Sequence, residues 1–195
     1  MLAEPTLVTL KVVEILEAHQ IRYFIGGSFA SAIHGVVRMT ADVDIVVDLK
    51  MEHVDPLVRA LEDEFYVDAD AIRDAVRRRQ SFNLIHLATM FKVDIFVFKR
   101  RPFNEAQFER RKRHAIAQDP PRHAFIATAE DNVLAKLEWY RLGGETSDQQ
   151  WKDVRNIIKT QREHLDLNYL RHWASEIGIP DLIERALEQD RRDDT

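Results

Sequence analysis

The residues most able to do chemistry in this chain are Asp42 and Asp44, in the run Asp42-Val43-Asp44. The β-branched stretch Val43 to Val47 reads as a strand, and side chains alternate along a strand, so the two aspartates share one side. Two carboxylates that close repel each other unless a cation stands between them. Hard oxygen donors of this kind suit magnesium or manganese. A third aspartate, Asp94, interrupts the apolar run Val93 to Val97, where an unpaired carboxylate is costly. If its strand lies beside that of Asp42 and Asp44, three carboxylates converge, enough to hold two divalent cations about 3.5–4 Å apart.

Upstream, Gly26-Gly27-Ser28 follows the apolar segment Tyr23-Phe24-Ile25. Missing side chains let backbone N–H groups approach a phosphate closely. Ser28, read as the cap of a short helix from Phe29 to His34, adds a hydroxyl donor at a helix start. A phosphate cradle followed by a carboxylate pair describes a site for a metal-bound nucleoside triphosphate. The glycines do not fit a dinucleotide fingerprint, and no lysine follows as a P-loop needs. An EF-hand is excluded, because Val46 and Val47 stand where a ligand and the turn glycine belong. Asp48 lies at the strand end and reads as a surface residue. His34, beside Gly35, reads as a packing or helix-terminal residue.

The elements that must position these groups are legible from periodicity. Thr6 to His19 reads as an amphipathic helix, and a second helix runs from Pro56, in its first turn, to about Glu64. A basic helix spans Ile72 to Arg79. Phe82 to Ala88 and Phe91 to Phe98 read as a hairpin turning at Thr89-Met90. Phe103 to about Arg113 reads as helix, and Pro120-Pro121 as a connection. From Thr128 onward only helices are expected. Thr128 with Asp131 and Ser147 with Gln150 resemble capping boxes opening helices to Leu142 and about Thr160. Leu167 to Ile177 and Pro180 to Leu187 follow. Strands first and helices later predict an α+β fold: a short mixed or antiparallel sheet flanked by helices, then a C-terminal helical part. The expected division is residues 1–120 and 121–195. Trp139, Tyr140 and Trp151 are expected in the core between helices.

The 195 residues hold no cysteine, which excludes a disulfide framework, cysteine-ligated metals and thiol catalysis. No apolar run approaches the ~18 residues of a membrane helix. The first residues lack a basic segment, so a signal peptide is not expected and a cytoplasmic location is. The net charge of −5 hides an asymmetry: residues 1–70 carry −8, residues 71–124 carry +8 and residues 125–195 carry −5. Three basic runs, Arg77-Arg78-Arg79, Lys99-Arg100-Arg101 and Arg110-Arg111-Lys112-Arg113, are expected to flank the cleft. They favour a polyanionic acceptor such as RNA over a cationic antibiotic.

With Gly26-Gly27-Ser28, Asp42-Val43-Asp44 and Asp94 in this order, residues 20–100 resemble the nucleotidyltransferase superfamily that includes DNA polymerase β and kanamycin nucleotidyltransferase. The run Arg38, Thr40, Asp42, Asp44 resembles small prokaryotic relatives of the abortive-infection nucleotidyltransferase toxins. Their helical half carries a lysine and a later aspartate, matched here by Lys136 and Asp153. The resemblance implies a metal-dependent enzyme. Asp42, Asp44 and Asp94 would hold magnesium or manganese. Gly26, Gly27, Ser28, Arg38, Thr40, Lys136 and Asp153 would bind the nucleoside triphosphate. The acceptor oxygen would attack the α-phosphate and pyrophosphate would leave. An RNA acceptor and a cognate antitoxin are implied by the toxin-like subclass. A non-catalytic nucleotide-binding or toxin–antitoxin partner module, and an antibiotic-modifying nucleotidyltransferase, are the alternatives.

Overall fold

Short strands with strict alternation make one dry sheet face and one face open to polar side chains. The computed structural model describes residues 4–36 and 42–192. Arg38 and Thr40 lie outside the described residues. The order is α1 (Glu4–Ala18), β1 (Tyr23–Ile25), α2 (Gly27–Ile33), β2 (Asp42–Val47), α3 (Met51–Leu61), β3 (Phe65–Tyr66), α4 (Ala69–Arg78), β4 (Ser81–His86) and β5 (Lys92–Val97). Then come α5 (Pro102–Arg110), β6 (Lys112–Gln118), β7 (Pro121–Ile126), α6 (Ala129–Leu142), α7 (Asp148–Gln161), α8 (Leu167–Glu176) and α9 (Pro180–Arg192). The strands form one seven-stranded mixed sheet in the order β3-β4-β5-β2-β1-β7-β6.

Val43, Ile45 and Val47 of β2 and Val93, Ile95 and Val97 of β5 point into the dry face. They pack with Val12 and Leu16 of α1, Leu57 and Leu61 of α3 and Ile72 of α4. Each such side chain contributes about 1.5–3 kcal/mol by leaving water. A separate core joins α6 to α9 through Leu134, Leu137, Val154, Ile157, Leu170 and Ile183, and takes in Val36 and Phe103 from the sheet side. Thr128 caps α6 by accepting from the Asp131 N–H, and Ser147 caps α7 by accepting from the Gln150 N–H, as the sequence predicts. Among the described residues no helix is long and apolar enough to cross a membrane.

The fold is the α+β arrangement expected, with four local corrections. Pro56 sits inside α3 rather than in its first turn, because the helix already starts at Met51, with Lys50 as N-cap and the Lys50 N–H donating to His53 Nδ1. Gly26, not Ser28, precedes the first helical residue of α2, so Ser28 is the second residue of that helix and not its cap. The helix expected to reach Arg113 ends at Arg110, and residues 112–126 form the antiparallel pair β6–β7 instead. Pro120-Pro121 is the turn region of that pair. Finally, Trp139 is 52% exposed rather than core, whereas Tyr140 and Trp151 pack together with ring centroids 5.3 Å apart. The missed strands have little local signal. In β6 only Ala117 is buried, and β7 is held to the sheet through a single register pair, Ile126 beside Ile25 of β1.

Candidate active site

β2 and β5 run parallel, with Asp44 directly opposite Asp94 and Asp42 opposite Lys92. All four side chains alternate with the buried valines and isoleucines, so they share the open face. The strand neighbours that Asp94 required are therefore present. On the far side of β5, β4 places Asn83 opposite Asp94. With its amide turned to satisfy both neighbours, Asn83 donates to Asp94 Oδ1 at 2.7 Å. The Lys92 ammonium lies 2.7 Å from Asp94 Oδ2 and 3.9 Å from Asp42 Oδ2. That hydrogen bond to Asp94, set against partial desolvation, raises the Lys92 pKa and holds it charged.

Asp44 is largely enclosed and faces both other carboxylates. Burial pushes its pKa up to about 6, and the facing charges of Asp42 and Asp94 push the same way, while Lys136 and Lys92 oppose them. A carboxylate destabilised by two others is a group waiting for cationic charge. Gly27 shows how tightly the loop approaches it. Its φ is +56°, and a Cβ built there would stand 1.7 Å from Asp44 Oδ2. The Gly26 N–H donates to the Asp44 carbonyl at 2.9 Å. Only a residue without a side chain fits against this carboxylate in this conformation. Behind Gly27, Ser31 Oγ donates to the Gly27 carbonyl at 2.9 Å. Asn132 of α6 donates to Ser31 Oγ at 3.1 Å and to the same carbonyl at 3.3 Å.

Lys136 comes from the middle of α6 but is not a solvated helix lysine. It is 7% exposed and pairs with Asp153 of α7 at 2.9 Å, and Gln149 Nε2 donates to the other Asp153 oxygen at 2.8 Å. Burying such a pair has a desolvation cost that solvent-exposed pairs escape. Its charge is still felt at Asp44. The structure thus brings together Asp42, Asp44, Asp94, Gly26 and Gly27, with Lys136 and its partner Asp153 approaching from the helical side. Ser28 follows Gly27 in the first turn of α2.

Three contributors escaped the sequence reading. Lys92 had a signal, since it stands two residues before Asp94 on a strand and so shares its face. Asn132 had none, because its partners lie about a hundred residues away, and Asn83 depends on the exact register of the β4–β5 hairpin. His34 behaves as expected of a packing residue: its Nε2 lies 2.8 Å from the Ala127 carbonyl, and burial lowers its pKa. Asp48 makes a surface pair with Arg22 at 2.7 Å.

Two of the three basic runs do not flank the cleft as expected; the third opens β6, where Lys112 pairs with Ile126 beside Ile25, next to the glycine loop. Asp42 and Lys92 begin β2 and β5, whereas Lys99-Arg100-Arg101 follows the other end of β5. Arg79 donates to the Phe98 carbonyl at 2.8 Å, which puts Arg77-Arg78-Arg79 at that same far end. A six-residue strand separates these runs from Lys92 by about 17 Å. Several members are also neutralised, as in Arg78–Asp74, Arg101–Glu138 and Arg110–Glu130.

Among the described residues no three Asp, Glu or His side chains form a ready-made metal cluster; here the Lys92 ammonium stands between Asp94 and Asp42. The donor set nevertheless fits hard divalent cations, given the like-charge strain on Asp44 and the cradle at Gly27 that a Cβ would fill.

No family model matches the chain, and no curated protein matches it. Solved structures do. An antigenic nucleotidyltransferase-like protein from Paracoccidioides brasiliensis superposes with a TM-score of 0.59 at 16% identity, covering 96% of this chain and 94% of that one. ANT(2'')-Ia in complex with adenylyl-2''-tobramycin gives 0.58 at 11% identity, over 90% and 97% of the two chains. The lincosamide antibiotic adenylyltransferase LnuA with lincomycin bound gives 0.50 at 16% identity, over 80% and 96%. At these identities the likeness is one of fold, and the fold is nucleotidyltransferase-like.

Proposed function

We propose that this chain transfers a nucleoside monophosphate from a nucleoside triphosphate to an acceptor hydroxyl, with Asp42, Asp44 and Asp94 arranged around magnesium or manganese. One observation carries this reading: Asp44 faces Asp94 across adjacent strands, with Asp42 beside them and Gly27 packed against Asp44 so closely that no side chain fits. Divalent cations bound by these carboxylates would neutralise the triphosphate and the departing pyrophosphate. Asp42 and Asp44 hold the triphosphate side of the site. Asp94, one strand further from the glycine loop, faces the acceptor and takes the proton of its hydroxyl. Gly26 and Gly27 offer backbone N–H groups to the terminal phosphates, and Ser28 offers its hydroxyl. Arg38 and Thr40, which precede Asp42 in the sequence, would bind the nucleotide. Lys136, held by Asp153, offsets phosphate charge from the helical side. The protein's own contribution is position and charge.

For the acceptor we favour RNA. Trp139 is half exposed and leans on Phe96, ring centroids 6.1 Å apart. Phe96 lies two residues beyond Asp94 on the same open strand face, so an aromatic surface stands on the acceptor side of the carboxylates. A base can stack there, whereas a polycationic antibiotic would meet the Lys92 ammonium beside Asp94. The toxin-like role and an antitoxin partner in the cytoplasm are the biological form of the same reading.

The test is transfer of label from each α-³²P nucleoside triphosphate, with magnesium, into total bacterial RNA. Label in an RNA band, lost in the Asp42→Asn, Asp44→Asn double variant, is the expected result. Label retained in that variant overturns the site. Triphosphate binding without transfer to RNA overturns the acceptor and leaves the non-catalytic module or a small-molecule acceptor.

A further inference from the structure

α7 carries a basic face that no run of adjacent residues announces. Of its charged residues, Asp148 stands in the first turn and Asp153 is buried against Lys136. The other three, Lys152, Arg155 and Lys159, are cations spaced by three and four residues, which stacks them on one side of the helix. Arg162, a further three residues on, extends the row just past the end of α7, where its Nε donates to Asp190 Oδ2 of α9 at 2.8 Å. At about 1.5 Å per residue the row from Lys152 to Arg162 is about 15 Å long. Two open hollows that share Lys159 lie along it, one of about 300 Å³ beside Thr160 and Arg162, the other of about 130 Å³ beside Lys152 and Asn156. Four cations line these hollows against two carboxylates, Glu163 and Asp190, so the balance is positive. Both Lys152 and Lys159 are exposed.

Local helix physics does not account for this row. Like charges three and four residues apart oppose helix formation. The helix dipole favours a cation in the last turn, which covers Lys159, but not one in the second turn, where Lys152 stands. An anion along the row relieves both. The row also borders the site. Gln149 and Lys136 both hold Asp153, on the adjoining face of α7. Further along, α7 is clamped to the C-terminal end of α2, the helix that Gly27 begins. Gln161 Nε2 donates to the His34 carbonyl at 3.2 Å, and a Cβ built on Gly35 would stand 2.4 Å from the Thr160 methyl. We propose that this face of α7, through Lys152 and Lys159, holds the phosphate backbone of the RNA acceptor. An open, elongated row of ammonium groups suits a linear polyanion. It lacks the enclosure that a small ligand needs. This inference rests on the reading of RNA as the acceptor.

The experiment is fluorescence anisotropy of 5′-labelled bulk transfer RNA against the purified full chain, without nucleotide, over a series of KCl concentrations. Wild type is compared with three double variants: Lys152→Gln, Lys159→Gln; Lys152→Arg, Lys159→Arg; and Lys99→Gln, Arg100→Gln. The last removes the same charge from exposed positions at the far end of the sheet. Melting temperatures check that each variant folds. Lys152→Gln, Lys159→Gln is expected to bind RNA about tenfold more weakly, and its plot of log affinity against log salt to be shallower by about 1.5, the share of two phosphate contacts. The KM for RNA in the transfer reaction should rise by the same factor. The arginine pair should bind like wild type, and the far-end pair should lose less than about twofold. Equal losses in the two glutamine pairs overturn the assignment to α7 and leave the RNA acceptor in place. Wild type that does not bind RNA overturns this inference and the RNA acceptor together. RNA binding that depends on Lys152 and Lys159, in a chain that transfers no label, overturns the transfer reading and supports this surface.

Discussion

Two of the places where acidic side chains lose water, the start of α6 and the cleft, are built on opposite terms. At the start of α6, Asp131 is fully buried, yet each oxygen has a donor: Tyr169 Oη at 2.6 Å on Oδ1 and Thr128 Oγ1 at 2.8 Å on Oδ2. Its neighbour Glu130 accepts from the Asp166 N–H at 3.1 Å and pairs with Arg110 at 3.2 Å. The Arg110 guanidinium stacks over the Tyr169 ring at 3.8 Å, and its Nε, 3.8 Å from Asp131 Oδ2, is the exception to full hydrogen bonding. Burial raises the Asp131 pKa, but the hydrogen bonds from Tyr169 and Thr128 pull it back. In the cleft, burial raises Asp44 as well, and there the next causes are two more carboxylates pushing the same way. Loss of water is common to both sites. What separates a strut from a reactive site is whether the groups that replace water are donors or like charges.

That contrast breaks or stands on variants at the two sites. The largest effect is expected from the Asp42→Asn, Asp44→Asn pair: nucleotidyl transfer should fall at least about 10³-fold while circular dichroism stays native, because charge stabilisation of the reacting phosphates is lost. Next, Asp131→Ala should destabilise the protein by about 3 kcal/mol in urea unfolding, since it strands Tyr169, Thr128 and Arg110 in a dry site. If Asp131→Ala were tolerated and Asp42→Asn, Asp44→Asn unfolded the chain, the comparison would be reversed.

Asp44→Asn alone sharpens it. In EDTA the folded pKa of Asp44, about 6, lies above the ordinary 3.8. The folded state therefore holds its proton more tightly than the unfolded state. The corresponding stability is fully present below about pH 4 and is lost as pH rises through 6. Asp44→Asn should then stabilise the metal-free protein on the order of 2 kcal/mol at pH 7.5 and little at pH 4, read from paired melts at the two pH values. A loss of stability at pH 7.5 would show that Asp44 is as well satisfied as Asp131. The smallest effect is expected from Tyr169→Phe, about 1.5 kcal/mol, because it removes the hydrogen bond to Asp131 Oδ1 while Thr128 still donates to Oδ2; chemical denaturation measures it.

Much of the cleft could be read from residue order. Alternation along Asp42-Val43-Asp44 and Val93-Asp94-Ile95 settles which side chains share a face, and it does so without any tertiary information. The doublet Gly26-Gly27 announces a close backbone approach, though not to what; the answer, Asp44 itself, comes from the pairing of β1 with β2. The same limit explains the β6–β7 pair. Its local pattern is charged and half exposed, so nothing in residues 112–126 alone separates strand from helix or loop until Ile126 meets Ile25.

By itself, then, the sequence determined the chemical types and the faces: three carboxylates, a glycine loop and capped helices from Thr128 onward. These follow from periodicities of two and 3.6 residues, which are properties of the local backbone. The tertiary structure decided distances and balances of charge. It placed Asp44 opposite Asp94 and Lys92 between Asp94 and Asp42, buried Lys136 against Asp153, exposed Trp139 and carried two basic runs to the far end of the sheet. Register between strands and the docking of α6 are contacts between residues far apart in the chain, and electrostatic energy depends on separation and burial rather than on sequence spacing.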